Sequence, residues 1–542
     1  MAQQKFNEVK ICPLQLEFIA GDVLANCAKI VAQIKQIDAD IFIAPELALN
    51  GNCDDQILDL ALYQQQITQA INQICAATKK LVIVGGFYFY PNCSNNFLEN
   101  DLQNCLLVFA DGNLKHIFPK YLLNAKDQYK NYGKLKNFNY QNYQIALFST
   151  EDELFRLENN ASYLEHLASL NLDLIILSSA YVVNFAQNEP NSALDNSNLA
   201  KQVASKCKTN VLHINPAGAA ISEQFCDILI GASLAFNAKA QLVYKTPIVN
   251  FPPNLEVINW QNQQTFDWQE LNQVELIYQS LVIATRAYVQ KYNFNGVILG
   301  LSGGIDSALT LAIAVDALGA DKVTAVMLPY LYTSDASISD AKAQADALKV
   351  KFELMPIAGV MDAFNATLAP VFAEFTPDVT EENLQARARA VILMAIANKK
   401  GLLLLNTGNK SELATGYCTL YGDMAGGFAP LKDVFKTQVF ALAKYRNAQS
   451  AHHIIPERVI ERAPSAELAP NQTDQDILPP YEQLDKILRH LLIYGLENDA
   501  YLADHGFAAD VVQKVLKMLE KSKFKRDQAA IGPNISDCPL NK

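Results

Sequence analysis

Two short stretches carry residue types able to do chemistry. LSGGIDS (301–307) lies between a Val/Ile/Leu run and an Ala/Leu-rich helical stretch. Ser302, Gly303 and Gly304 let several backbone N–H groups close around an anion, since no Cβ blocks the approach, and a helix start adds partial positive charge. Asp306 stands where a carboxylate can hold Mg²⁺ against phosphate oxygens. A lone Gly-Gly usually means an ordinary strand-to-helix turn with an Asp or Ser cap. SGGxDS in a strand–turn–helix setting is far more specific, and it lacks the GK[ST] ending of a Walker loop. The second stretch, ALFSTEDELF (146–155), brings an apolar run through Thr150 onto Glu151 and Asp152. Thr150 there reads as a nucleophile, the remnant of one, or a helix cap.

The elements around these stretches fall into two patterns. Residues 1–250 alternate β-type runs such as DIFIAPEL (40–47), KLVIVGGFYFY (80–90), YQIALFS (143–149) and DLIILSSAY (173–181) with helical periodicity in 22–37, 55–78, 160–170 and 195–208. IDADIFIAPELA (37–48) and LNLDLIILSSAY (170–181) echo one another, each passing from a helix through an Asp into a buried strand with a polar exit. Two related halves of one α/β layered sandwich fit this pattern. Residues 251–268, rich in Pro, Asn and Gln, read as an extended linker. From 269 to 542 a βαβ succession runs through the strand before LSGGIDS, KVTAVMLP (322–329), VKFELMPI (350–357) and GLLLLNTGN (401–409), then a helical C-terminal region. This implies a doubly wound parallel sheet.

Composition narrows the function. The chain has 542 residues, half of them hydrophobic, enough for two to four domains at roughly 100–200 residues each. A formal net charge of −12 without a Lys/Arg-rich block argues against nucleic acid as a partner. No uninterrupted apolar run reaches the ~18 residues of a membrane span. Ten scattered cysteines show no CxxC pair or metal-ligand spacing, which reads as reduced thiols in a cytoplasmic protein.

LSGGIDS resembles the PP-loop of ATP pyrophosphatases, which split ATP between the α and β phosphates and adenylate an acceptor. The segments 328–341, 381–389, 406–439 and 462–485 look like consecutive motifs of NAD synthetases, and KFKRDQAA (523–530) is similar to that family's C-terminal substrate-contacting segment. The resemblance, almost continuous from 270 to 535, implies that ATP adenylates the nicotinate carboxylate of deamido-NAD and that ammonia then displaces AMP. It implies Mg²⁺ between Asp306 and Glu412, and ATP or pyrophosphate contacts from Ser302, Gly303, Gly304, Asp306, Ser307, Thr407, Lys436 and Ser465. Deamido-NAD would meet Asn383, Arg387, Asp423 and Lys525, with Asn383 and Arg387 reaching across a subunit interface of a homo-oligomer. Nicotinate mononucleotide is an alternative acceptor that the motifs do not separate.

Residues 1–250 resemble the nitrilase-like domain that supplies ammonia from glutamine in long-chain NAD synthetases, using a Glu–Lys–Cys triad. APELALNG (44–51) places the base at Glu46, and HIFPKYLLNAKDQYKNY (116–132) places the lysine at Lys120. The Cys-Glu-Asp motif keeps Glu151 and Asp152, but Thr150 stands where the thiol belongs. A threonine hydroxyl is far less acidic than a thiol, and its methyl group crowds attack. Asn52, Gln128 and SSAYVV (178–183) also depart from the pattern around this pocket. These departures point to a nitrilase fold without effective glutaminase activity, and hence to free ammonia. Retained use of glutamine is the alternative.

Overall fold

Alternating burial decides the layers of the N-terminal half. In the computed structural model, residues 6, 8–51, 60–89, 102–119, 137–149, 161–180, 182–183, 185, 192–222, 225–249, 254–262, 272–470, 472–495 and 506–540 are described. The chain divides into two compact units: Met1–Ser222 with Asp227–Leu271, and Glu223–Cys226 with Asn272–Lys542.

The first unit is built from β1 (Ile11–Pro13), α1 (Val23–Gln36), β2 (Ile41–Ile43), α2 (Leu60–Ala77), β3 (Leu81–Phe89), β4 (Leu102–Ala110), β5 (Asn113–Pro119), β6 (Asn137–Tyr140), β7 (Tyr143–Ser149), α3 (Ala161–Ser169), β8 (Leu174–Ser178), α4 (Ser192–Cys207) and β9 (Asn210–Ile214). β10 (Ala217–Ile221), β11 (Cys226–Ile230), β12 (Leu234–Phe236) and β13 (Leu242–Lys245) follow. One sheet has the order β1-β2-β3-β4-β5 and the other β13-β12-β9-β8-β7-β6, while β10 and β11 lie outside both. Side chains alternate across a strand. Ile41, Ile43, Leu81 and Ile83 of the first sheet therefore meet Ile145, Leu147, Leu174 and Ile176 of the second in one core. The intervening residues turn outward under helices. Phe42, Val82 and Val84 pack with α1 and α2, and Ala146, Phe148 and Ile175 pack with α3 and α4. The result is an αββα sandwich in which every central strand is apolar on both faces.

Of the expected linker 251–268, residues 254–262 are described, without helix or strand. They pack onto the sandwich: the Ile258 N–H donates to Ile11 O at 2.8 Å, and Trp260, 1% exposed, joins the inter-sheet core beside Phe6.

The second unit contains α5 (Gln273–Lys291), β14 (Val297–Gly300), α6 (Ile305–Leu318), β15 (Val323–Met327), α7 (Asp335–Leu348), β16 (Lys351–Leu354), α8 (Ala358–Phe372), α9 (Val379–Lys400), β17 (Leu403–Leu404) and α10 (Lys410–Thr415). α11 (Lys436–Ala448), α12 (Glu457–Glu461), α13 (Tyr481–Tyr494), α14 (Ala509–Lys521) and α15 (Lys523–Arg526) complete it. All neighbouring strands of the sheet β16-β15-β14-β17 run parallel. The chain winds outward from β14 to β16, then returns to the far side of β14 as β17. Ligands of such sheets bind where this order reverses, outside the carboxyl ends of the two diverging strands. Here those ends carry residues 301–304 and 405–409.

Trp260→Ala should lower the stability of the first unit by about 3–5 kcal/mol, because a large side chain leaves a cavity between the two sheets. A thermal unfolding midpoint equal to that of the parent protein would contradict this packing.

Candidate active site

The turn after β14 is shaped by packing that only glycine permits. Gly303 has φ +80°, and a Cβ there would lie 2.5 Å from Ser337 O and 2.8 Å from Ser337 Cα at the start of α7. Ser307 closes the turn from inside: its hydroxyl accepts from Ser302 N (3.2 Å) and donates to Gly304 O (3.0 Å). Ser302 Oγ accepts from Gly304 N at 3.2 Å. The first positions of α6 then present N–H groups that have no carbonyl one turn earlier to bond. Asp306 is the acidic residue of that first turn.

Three segments meet over this turn through charge. Lys436, at the start of α11, places its ammonium 2.5 Å from Asp306 Oδ2 and 3.0 Å from Glu412 Oε1. Asn409 caps α10 by accepting from Glu412 N at 3.0 Å, and its side-chain amide donates to Asp306 Oδ1 at 2.8 Å. The Lys436 side chain is 2% exposed, and the Tyr481 ring lies 5.3 Å from its ammonium. Tyr481 donates to Asp474 at 2.6 Å. Burial lowers the Lys436 pKa, yet Asp306 and then Glu412 outweigh it, so the net shift is upward. Burial raises Glu412 to about 7 against the opposing pull of Lys436, with Asp306 adding to the rise. One ammonium among Asp306, Glu412 and Asp474 leaves the cluster negative. Two hard carboxylate donors with residual negative charge fit Mg²⁺ held partly by substrate phosphates. Among the described residues no group of three or more His, Cys, Asp or Glu side chains forms a metal cage.

A cavity of about 310 Å³ opens over these residues and collects much of the set expected from sequence. The turn 302–307, Thr407, Glu412, Asp423, Lys436 and Ser465 all line it. Ser465 is tied within its own loop, donating to Gln472 O at 2.5 Å and accepting from Glu467 N at 3.2 Å. Asp423 opens onto the cavity and accepts from Thr419 N at 2.7 Å. The protein around its carboxyl raises it above the ordinary range, the backbone hydrogen bond from Thr419 working in opposition.

Asn383, Arg387 and Lys525 are not part of the cavity wall. Asn383 accepts from Thr419 Oγ1 at 2.8 Å, Arg387 donates to Leu420 O at 3.2 Å, and Lys525 donates to Gly416 O and Cys418 O at 2.8 and 2.6 Å. All three hold the segment 416–423 that carries Asp423. Wall residues outside the expected set include Asn409, Asp474, Arg389, Lys432 and Arg462. The spacing Asn-x-x-Glu in NKSE is a capping-box signal that could have found Asn409. Arg389 donates to Leu328 O at 2.9 Å. Arg462 pairs with Glu467 at 2.5 Å and donates to Ser337 Oγ at 2.9 Å, so it braces the same serine that Gly303 touches.

In the first unit, Glu46 leaves β2 buried, 1% exposed, and accepts from Asn104 Nδ2 at 2.5 Å. Gly85 of β3 runs beneath it; a Cβ there would lie 2.5 Å from Glu46 Cα. Lys120, Thr150, Asn52, Gln128, Glu151 and Asp152 lie outside the described residues. Another polar group of this unit invites comparison with a serine nucleophile. Ser179, beyond β8, lies with its Oγ 2.7 Å from His213 Nε2, but the serine donates to Asn215. Ser179 is thus shared between His213 and Asn215, and all three are buried, each at most 1% exposed. Burial lowers the His213 pKa to about 4, so the ring is neutral and this cluster is core structure.

The parallel sheet with a glycine turn and paired carboxylates at its point of reversal is the nucleotide-using PP-loop architecture, and the αββα sandwich in the same chain is of the nitrilase kind. A family model described as NAD synthase matches residues 277–529. The glutamine-dependent NAD(+) synthetase of Acinetobacter baylyi is 39% identical over 541 residues, covering 97% of this chain and 96% of the relative. That of Aquifex aeolicus is 34% identical, covering 97% of each. The solved structure of the glutamine-dependent NAD+ synthetase from Acinetobacter baumannii in complex with ADP superposes with a TM-score of 0.71 at 35% identity, covering 98% of this chain and 96% of that one. The chain belongs to the glutamine-dependent NAD(+) synthetase family, ligases that form a carbon–nitrogen bond.

Lys436→Met should leave Asp306 and Glu412 facing one another without a cation, at a cost of about 3 kcal/mol in the second unit. Glu412 already lies at about 7 with the lysine present. A carboxyl raised above its unfolded value binds its proton more tightly when folded, so the penalty is small at acid pH and grows as pH rises through 7. Unfolding midpoints of the variant and parent should converge between pH 8 and 5. A gap independent of pH would contradict the charge account.

Proposed function

We propose that the cavity of the second unit makes NAD in two steps, with free ammonia as the nitrogen donor. ATP lies with its phosphates over the turn 302–307, and Thr407 and Ser465 hydrogen-bond to the nucleotide. The nicotinate carboxylate of deamido-NAD attacks the α-phosphorus, and the bond to the β-phosphate oxygen breaks to release pyrophosphate. Ammonia then attacks the acyl carbon, AMP leaves with the carboxylate oxygen, and the displaced proton passes to solvent. Lys436, freed from part of its pairing by the incoming phosphates, balances charge on the departing pyrophosphate together with the N–H groups of α6. Asp306 and Glu412 would hold Mg²⁺, which when bound offsets charge on the same phosphates. Asp423 meets the dinucleotide at the cavity wall, on a segment held by Asn383, Arg387 and Lys525. The observation that carries this reading is the convergence of the turn, both carboxylates, Lys436 and Ser465 on one cavity. The adenine nucleotide held by the 35% identical relative supports it.

The choice of ammonia rests on Thr150, which follows β7 directly where the glutaminase pattern has cysteine. An oxygen nucleophile works in sites built around it, such as an N-terminal threonine with its own amine as base, whereas Thr150 follows Ser149 within the chain. We read Glu46, Lys120 and Thr150 as a degenerate triad in a retained domain. A homo-oligomer in the cytoplasm belongs to the same reading; no described helix is long and apolar enough to cross a membrane.

The test is NAD formation from ATP, Mg²⁺ and deamido-NAD, comparing ammonium with glutamine in ammonia-free enzyme. Ammonium should support turnover, with glutamine at least about 100-fold poorer, given the gap in nucleophilicity between threonine and cysteine at neutral pH. Equal rates would overturn the ammonia reading and leave NAD synthesis standing. Nicotinate mononucleotide in place of deamido-NAD should give little amide product.

A further inference from the structure

Among the described residues of the second unit, three lysines are buried: Lys410, Lys432 and Lys436. Two have their charge answered by protein. Lys410 donates to Asp433 and Ser536, each at 2.8 Å, and Lys436 lies between Asp306 and Glu412. Lys432 is 6% exposed and lines the 310 Å³ cavity, yet its ammonium makes no hydrogen bond or ion pair among the described residues. The adjacent carboxylate cannot serve it. Asp433 Oδ1 accepts from Lys410 and Ser536 Oγ, and Oδ2 accepts from the N–H groups of Ile535 and Ser536. Those four bonds use the capacity of the carboxylate.

The fold nevertheless makes a bed for this side chain. Gly532 lies against its stem; a Cβ there would come 2.6 Å from Lys432 Cβ and 3.3 Å from Cδ. The Ala429 N–H donates to Ile531 O at 2.8 Å and clamps the two segments together. An ammonium at a cavity wall without a protein acceptor gives up part of its hydration and would ordinarily be paired or replaced by an apolar residue. Burial pushes its pKa down to about 8, Asp433 opposing only in part, as befits a cation awaiting a counter-charge.

We infer that Lys432 is a substrate-binding residue whose ammonium takes an anionic oxygen, carboxylate or phosphate, from a molecule bound in the cavity. The inference rests on the NAD-forming reading of this cavity, whose substrates carry both kinds of anion. The counter-charge missing from the protein is then supplied only when substrate is present. The stem held by Gly532 limits the freedom lost on binding, and charged hydrogen bonds of this kind are worth about 1.5–3 kcal/mol, or roughly 10- to 150-fold in affinity.

The experiment uses the full chain, with initial rates measured in ammonium while ATP and deamido-NAD are varied separately. K432M, which keeps the stem and removes the charge, should raise KM for one substrate at least tenfold. K432R should recover most of that loss. A raised KM for ATP identifies a nucleotide phosphate as the partner, and a raised KM for deamido-NAD identifies an anion of the dinucleotide. The unfolding midpoint of K432M should stay level or rise, because an unpaired buried charge has been removed, whereas a purely structural lysine would lower it. KM for both substrates within twofold of the parent protein overturns the inference, as does a lowered midpoint with KM unchanged. Should K432M not fold, K432Q gives the same comparison. The parent protein's own rate in this assay tests NAD formation separately, so failure of either idea is told apart from the other.

Discussion

One buried ammonium, Lys436, holds the second unit's active region together. It stands within 3.0 Å of carboxylates from the first turn of α6 and from α10, two segments more than a hundred residues apart in sequence. A charge pair at that separation is strong where water is scarce, but each ion also loses hydration, so net gain depends on completing the remaining hydrogen bonds. Here they are completed. Asn409 supplies Asp306 with a donor, the Ser411 hydroxyl accepts from Lys436 N, and Asp485 accepts from both Ser411 and Thr437 N. The same bonds start α10 and α11, so the helices and the charge cluster specify one another.

That mutual dependence extends to the sheet. Residues after β14 and β17 can meet only because the strand order reverses between these two strands. The glycine turn can approach α7 only because Gly303 lacks a side chain against Ser337. Ser337 is in turn held by Arg462 and by Glu467, so the cavity wall formed by 462–467 reaches back to the turn it faces. Rigidity of this kind suits anion binding, where N–H groups aimed in advance need no rearrangement at the moment of reaction.

How much of this was legible in the sequence follows from the range of the interactions. Strand runs such as YQIALFS were readable because alternation and β-branched content are local, and the parallel sheet followed from their spacing with helices. SGGIDS announced its turn through residues adjacent in the chain. Asn409 stayed hidden although its cap pattern was present, because its amide reaches Asp306 across 103 positions. Arg387 was read as the contacting arginine, while Arg389, two positions along the helix, lines the cavity. Residues two apart on a helix face different ways, and nothing in the local pattern says which face meets the cavity. The partly legible tail of the sandwich, 254–262, reads as linker by composition, yet Trp260 and Ile258 give it a buried side that only the assembled core reveals.

Glu46 illustrates how firmly packing alone can fix a residue that chemistry would also use. Its carboxylate is buried and held by Asn104, while its backbone rests on Gly85 so closely that a side chain at position 85 would force the turn to shift. Leu47 beyond it is left-handed, at φ 57°, and Gly51 closes the turn where a Cβ would meet Ile19 O at 2.0 Å. Removing a buried carboxylate's partner, or the carboxylate itself, strands a polar group in a core that has no water to spare. Packing alone therefore favours keeping this turn, whether or not the strand end at β7 still carries a nucleophile. Under the proposed degenerate triad, reactivity turns on the single residue type at position 150, because a hydroxyl is far less acidic than a thiol. The frame and the reagent are separable: the first is fixed by close contacts throughout the sandwich, the second by a single side chain.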